Sequence, residues 1–144
     1  MGARETLAYV EPFHLTVLAR TYLALRDFAR ARALLDQALV TARGRPTIEV
    51  TALLAHAQLL RATDGLRASD QIEASLRNAT ALIEAMDARG LAPFVHIERA
   101  QLARLRQDDA AWRCELEVAH QQFNAIGATG QAEWTAKELS ARPT

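Results

Sequence analysis

Apolar positions in this chain follow a helical period, and the pattern returns about every forty residues. Leu35-x-x-Ala38 is echoed by Leu76-x-x-Ala79, 41 residues later, and by Leu116-x-x-Ala119, another 40 on. Each pair has an apolar residue four before its Leu (Ala31, Ile72, Trp112) and another four after its Ala (Ala42, Ile83, Phe123). A helix-sized echo at this period predicts stacked helical hairpins.

The elements follow from the stripes and their punctuation. Leu15, Leu18, Ala19, Tyr22 and Leu25 predict a first helix, opened by Glu11-Pro12, since proline suits a first turn and glutamate the positive end of the dipole. Asp27 caps a second helix with the stripe Phe28, Ala31, Leu34, Leu35, Ala38 and Ala42, and Gly44 and Pro46 end the hairpin. Val50, Leu53, Leu54, Ala57 and Leu60 mark the next helix. Asp64 to Ala68 forms a longer turn, and Ser69 or Asp70 caps a helix carrying Ile72, Leu76, Ala79, Ile83 and Met86, which ends near Gly90. The third hairpin opens around Pro93 with Phe94, Val95, Leu102 and Leu105. Asp108 or Asp109 then caps the helix of Trp112, Leu116, Ala119 and Phe123. Gly127 and Gly130 precede a short last helix bearing Trp134 and Leu139. The expectation is one all-α domain over residues 1–144: hairpins at about 11–43, 47–89 and 91–126, then a cap at about 131–141. Alanines at the helix crossings (Ala19, Ala31, Ala38, Ala57, Ala79, Ala119) permit close approach.

Composition agrees with this picture. Half of the 144 residues are apolar, which argues against disorder, and aromatic and β-branched residues are too sparse for a sheet protein. Seventeen basic residues balance seventeen acidic ones, so no bulk charge draws a nucleic acid or an anionic membrane, and neither is expected as a partner. One cysteine, Cys114, cannot form an internal disulfide, and a reducing, cytoplasmic setting is the simple expectation. No apolar run is long enough to span a bilayer, and no signal peptide is visible. Met1 to Thr6 fits a loose myristoylation pattern and Asn78-Ala79-Thr80 a glycosylation acceptor; both are short enough to arise by chance.

Ala19, Tyr22, Ala31, Leu35 and Ala38 stand where a tetratricopeptide repeat places its small and large packing residues, and the chain resembles a divergent array of that kind. The segment His96 to Leu139 also resembles the C-terminal repeat tail of bacterial signalling proteins that join a class III cyclase domain to an AAA-type ATPase, and of related ATP-dependent transcription activators. Glu98-Arg99-Ala100, Leu102-Ala103-x-Leu105, Glu115-Leu116-x-x-Ala119-His120, Phe123 and Gly127-Ala128 carry that likeness. The resemblance implies a right-handed superhelical stack of three hairpins plus a capping helix. It also implies an origin as the C-terminal part of a larger protein. No cyclase, ATPase or helix-turn-helix motif is present, so none of those activities transfers.

Candidate chemistry is thin. His14, His56 and His96 fall on the first helices of successive hairpins, the geometry of a shared zinc site, but they lack a common register and a carboxylate at ligand spacing; solvated or hydrogen-bonded histidines are expected instead. His96-Ile97-Glu98 echoes the opening of a deaminase motif whose paired cysteines are missing. Glu98 falls on an apolar stripe and is expected to accept hydrogen bonds in a structural contact. Trp112 and Trp134 are expected in the core beside Leu116 and Leu139, and Cys114 as a packed, inert thiol. Neither a catalytic residue, a metal nor a cofactor is expected. In a tetratricopeptide-like array the first helices line a concave face. By register that face carries Phe13, Thr16, Arg20, Leu23, Thr51, Ala55, Gln58, His96, Ala100 and Arg104.

The function expected is a non-catalytic interaction, sensory or scaffold module with a protein or peptide partner. A small-molecule sensor in the groove and an oligomerisation element are the alternatives. Apolar positions at the open end of the first hairpin (Phe13, Val17, Leu34, Leu39) point to a homodimer through that hairpin.

Overall fold

The computed structural model of the chain describes residues 14–141, and Phe13 lies outside them. Seven α-helices and no strand occur among the described residues. They are α1 (14–24), α2 (Phe28–Thr41), α3 (Pro46–Thr63), α4 (Ser69–Met86), α5 (Ala92–Leu105), α6 (Asp109–Ala125) and α7 (Thr129–Ala141). Short 3-10 turns, Gly65–Ala68 and Arg89–Leu91, lead into α4 and α5.

The sequence echo marks the buried faces of α2, α4 and α6. All twelve of its positions, from Ala31 to Phe123, are buried. The caps follow the expected chemistry. Asp27 accepts the Arg30 N–H at 3.3 Å, and Asp108, not Asp109, accepts the Ala111 N–H at 3.1 Å. Pro46 and Pro93 sit in the first turns of α3 and α5, where no helical donor is lost.

Four helix ends close in the same way. The N–H groups of Asp27, Ala88, Asp108 and Ala128 reach back to Tyr22, Ile83, Ala103 and Phe123 at 2.8–3.0 Å. Those of Arg26, Asp87, Gln107 and Gly127 bond Leu23, Glu84, Arg104 and Asn124 at 3.0–3.3 Å. This pair of bonds is the Schellman closure, and it needs one residue in the left-handed region. Gly127 takes it at φ 76°, without a Cβ to clash. Arg26, Asp87 and Gln107 take it at φ 61°, 53° and 57° despite their side chains. Gln107→Gly is therefore expected to stabilise the protein by about 0.5–1 kcal/mol, read as a midpoint a few degrees higher in thermal unfolding. An unchanged or lower midpoint would mean that Gln107 makes a compensating contact. Arg26→Gly should gain less, because the Arg26 guanidinium lies 5.1 Å from the Phe28 ring centroid.

The chain forms two compact units that divide within α4, between Leu82 and Ile83. In the first, Ala19, Ala31, Leu35, Ala55 and Leu59 make a core from α1, α2 and α3, flanked by Tyr22, Leu23, Phe28 and Leu34. An Arg32 side-chain N–H donates to the Thr63 hydroxyl at 3.3 Å, tying α2 to α3. In the second, Ala100, Ala103, Trp112 and Leu116 form one cluster with Leu139 against it, and Ala119, Phe123 and Ala132 form another. Ile97 touches both clusters.

Several expectations are corrected here. Leu18 and Leu25 do not face the core: they are 48% and 71% exposed, whereas Ala19 of the same stripe is buried as expected, together with Thr16. Cys114 is exposed, since two residues from either Trp112 or Leu116 it points to the opposite side of α6. Ala68, which resembles a loop residue in sequence, is buried by the 3-10 turn. Trp134 does not close the core; Ala132, Thr135 and Leu139 line the inner side of α7.

Candidate functional site

The expected concave-face residues do not form one open surface. Thr16, Ala55 and Ala100 are buried, and Ala55 and Ala100 belong to the packed clusters of their units. These three are therefore packing residues and not a binding face. Leu23 packs on the first core, while Thr51 and Gln58 are half-buried on α3. Arg20 and Arg104 are exposed, and the Arg104 guanidinium lies 5.3 Å from the Trp112 ring centroid. His96 is half-buried, and its Nδ1 stands 2.6 Å from Glu115 Oε2, a pairing that ties α5 to α6.

His96 and His120 each bridge two helices. His120 Nδ1 donates to the Ala132 carbonyl at 3.0 Å, joining α6 to α7, and its Nε2 lies 3.2 Å from Asn124 Nδ2. Among the described residues no three His, Cys, Asp or Glu side chains gather as a metal site would need. Glu98 is buried and is not without a partner.

His56 differs. Its Nδ1 is buried and finds no hydrogen-bond partner. Burial pushes its pKa below the usual imidazole range; Asp36 pulls it back up and Arg32 adds to the fall. The folded state thus binds its proton less readily than the unfolded chain, whose imidazole titrates near pH 6.5. Above that pH the imidazole is neutral in both states and adds no pH dependence. As the pH drops through 6.5 toward the lowered folded value, the unfolded state gains protons and stability falls. Urea midpoints should therefore decline from pH 7.5 to pH 5, and His56→Leu should decline less steeply. Parallel profiles for the two proteins would rule His56 out as a source of the pH dependence.

The most binding-like feature lies in the second unit, where α5, α6 and α7 meet. The α5 stripe brings Phe94 and Ile97, one turn apart, to one wall. The α6 helix supplies Phe123 as floor, and α7 contributes Gly130, Gln131 and Trp134. Together they line an open cleft of about 380 Å³, within the roughly 300–1,000 Å³ of ligand pockets. Phe94 and Phe123 meet edge to face, with centroids 5.2 Å apart and planes at 76°, which fixes the wall against the floor. Phe123 is buried, whereas Phe94 is 38% and Trp134 44% exposed. Gly130 puts no side chain into the space. Gln131 supplies the polar side chain of the lining, and none of the lining side chains titrates. Such a cleft can desolvate a bulky apolar group and offer it one amide. It cannot move a proton.

Neither Phe94 nor Trp134 is among the residues that the concave-face reading selects. A signal was nevertheless present: Trp134 and Leu139 are five residues apart, about 140° around a helix, so they cannot both face one core. Comparison of the chain with protein-family models, with curated proteins and with solved structures finds no match.

Proposed function

We propose that the chain is a non-catalytic protein-interaction module, a sensory or scaffold part of a larger bacterial signalling protein in the cytoplasm. It holds a segment of a partner protein in the aromatic cleft of its second unit. The observation that carries this reading is the pair of part-exposed aromatic rings, Phe94 and Trp134, over a packed Phe123 floor. Exposed aromatics grouped in a concavity mark binding sites far more often than scattered ones do. The cleft's openness favours a peptide over a free small molecule, which needs most of its surface enclosed. A tetratricopeptide-like repeat is part of the same proposal, supported by the twelve buried echo positions and the recurring helix closures. In addition, no helix among the described residues is long and apolar enough to cross a membrane.

The test is a photo-crosslinking amino acid placed at position 134 of the full chain in its host cell. A defined protein adduct, lost when Phe94→Ala is added, is expected. Absence of any protein adduct would sink the reading.

Self-association through the first hairpin is a second reading, favoured by Val17, Leu18 and Leu25, which are 47%, 48% and 71% exposed. Val17 fits the apolar end expected there; Leu34 and Leu39 are half-buried. Light scattering should then give about twice the chain mass at micromolar concentration, and Leu18→Glu with Leu25→Glu should give monomer with unchanged helix content. A wild-type monomer at high concentration would dismiss it.

A further inference from the structure

Resting on the interaction reading above, we propose that the segment held in the cleft is basic and amphipathic. One bulky apolar side chain fills the cleft, and a lysine or arginine one turn away pairs with Glu138. The lining carries no charge, so the apolar side chain enters without desolvating an ion. Two charged residues of α7 follow Trp134 by one turn, Lys137 and Glu138, and the half-buried one is acidic. Glu138 lies four residues after Trp134 and seven after Gln131, which puts its Cβ on the face that borders the cleft. It is half-buried, a setting in which a paired cation gains more than on open surface. The other charged side chains of α7 do not reverse this sign. Lys137, three residues after Trp134 and seven after Gly130, stands at the outer edge of the same side, but it is exposed and has Glu133 four residues before it, so solvent screens it more than the half-buried Glu138. The wider field agrees, because the second unit holds nine Asp and Glu against seven Lys and Arg. Cleft and carboxylate along one helix therefore match a segment with an apolar anchor and a cation three or four residues apart, the spacing of one helical turn.

The test uses a phage-displayed library of random twelve-residue peptides, with the full 144-residue chain as bait. Enriched peptides should share a Phe, Trp, Leu or Met with Lys or Arg three or four residues away. Synthetic copies should shield Trp134 from acrylamide, which Trp112, being buried, reports little of. Phe94→Ala and Trp134→Ala, each with unchanged circular dichroism, should weaken binding roughly tenfold or more. Glu138→Lys as bait should switch the enriched charge from basic to acidic, a result that mere loss of folding cannot produce. Enrichment of acidic or uncharged peptides by the wild-type chain would overturn the proposal. So would basic peptides whose affinity Glu138→Lys leaves unchanged. Peptides that bind equally well to the Phe94→Ala and Trp134→Ala variants would overturn both this proposal and the cleft as the binding place, leaving only an interaction module that binds elsewhere. Failure to enrich any peptide would count against both.

Discussion

Trp112→Ala is expected to cost about 3–5 kcal/mol, the range for removing a large buried aromatic side chain. The indole is 1% exposed and sits among Ala100, Ala103 and Leu116, with Ile97, Ala111 and Leu139 against the cluster. Half of these neighbours are alanines, which hold no side-chain atoms that could swing into the space, while Leu116, Ile97 and Leu139 can fill only part of it. The cavity left behind should stay partly open, which adds to the transfer cost of the lost indole. Arg104 adds to the loss, because its guanidinium would no longer lie over a ring. In thermal unfolding the midpoint should drop by roughly 10 °C, followed by circular dichroism and, independently, by the fluorescence of Trp134. Trp112→Phe should recover part of the loss by refilling much of the volume. A drop of less than about 1 kcal/mol for Trp112→Ala would mean that the second unit does not depend on this cluster.

What could be read from the chain was whatever depends on local chemistry and period. Leu35, Leu76 and Leu116 announce themselves because a helix side that is buried three times over must be apolar three times over. Asp27 and Asp108 are legible as caps because a short carboxylate reaches its own first-turn N–H groups. The turn after Asp64 is legible as longer than those between α1 and α2 and between α5 and α6, and it appears as the 3-10 turn Gly65–Ala68. Which side of α1 faces inward is not legible in the same way. Its leucines suggest one stripe, but a close crossing of helices favours small residues, and Thr16 and Ala19 take the inner positions while Leu18 and Leu25 stay outside. Gln107 and Arg26 in the left-handed region carry no sequence signal, because glycine is the residue that usually marks such a place.

The cleft was illegible for a different reason. Its lining comes from three helices, and Phe94, Phe123 and Trp134 each sit on a plausible apolar stripe. Nothing in the period of one helix says that two of those rings will face a hollow. Only the angle between Trp134 and Leu139 on α7 shows that one of the two must look away from the core. The expected face of Thr16, Ala55 and Ala100 failed in the opposite sense. Short side chains that resemble a lightly packed surface in sequence are the residues by which these helices touch.

Leu35→Ala, Leu76→Ala and Leu116→Ala should each destabilise the protein by about 2–5 kcal/mol. The three leucines are 0%, 0% and 1% exposed and occupy the same place in the echo, on α2, α4 and α6. Leu35 packs in the cluster of Ala19, Ala31, Ala55 and Leu59, and Leu116 in that of Ala100, Ala103 and Trp112, so each sits among alanines and one larger buried side chain. Equivalent positions with equal burial should give similar losses, which is the energetic meaning of a repeat. The alanines paired with them test the same geometry from the other side. Ala38→Leu and Ala79→Leu add volume where none is free and should cost about 1–3 kcal/mol, whereas Ala29→Leu on the exposed side of α2 should stay within about 0.5 kcal/mol of the parent. Leu18→Ala and Leu25→Ala give the sharpest contrast. They are the same chemical change as Leu35→Ala, made in the same hairpin, yet little apolar area leaves the interior at either position. Both should fall below about 1 kcal/mol in urea unfolding. If Leu18→Ala or Leu25→Ala proved as costly as Leu35→Ala, α1 would have to be turned about its axis with those leucines inward, and the assignment of Thr16 and Ala19 to the buried side would fall. If instead the three echo leucines differed among themselves by more than about 3 kcal/mol, the forty-residue pattern would be a repeat of sequence without a repeat of packing.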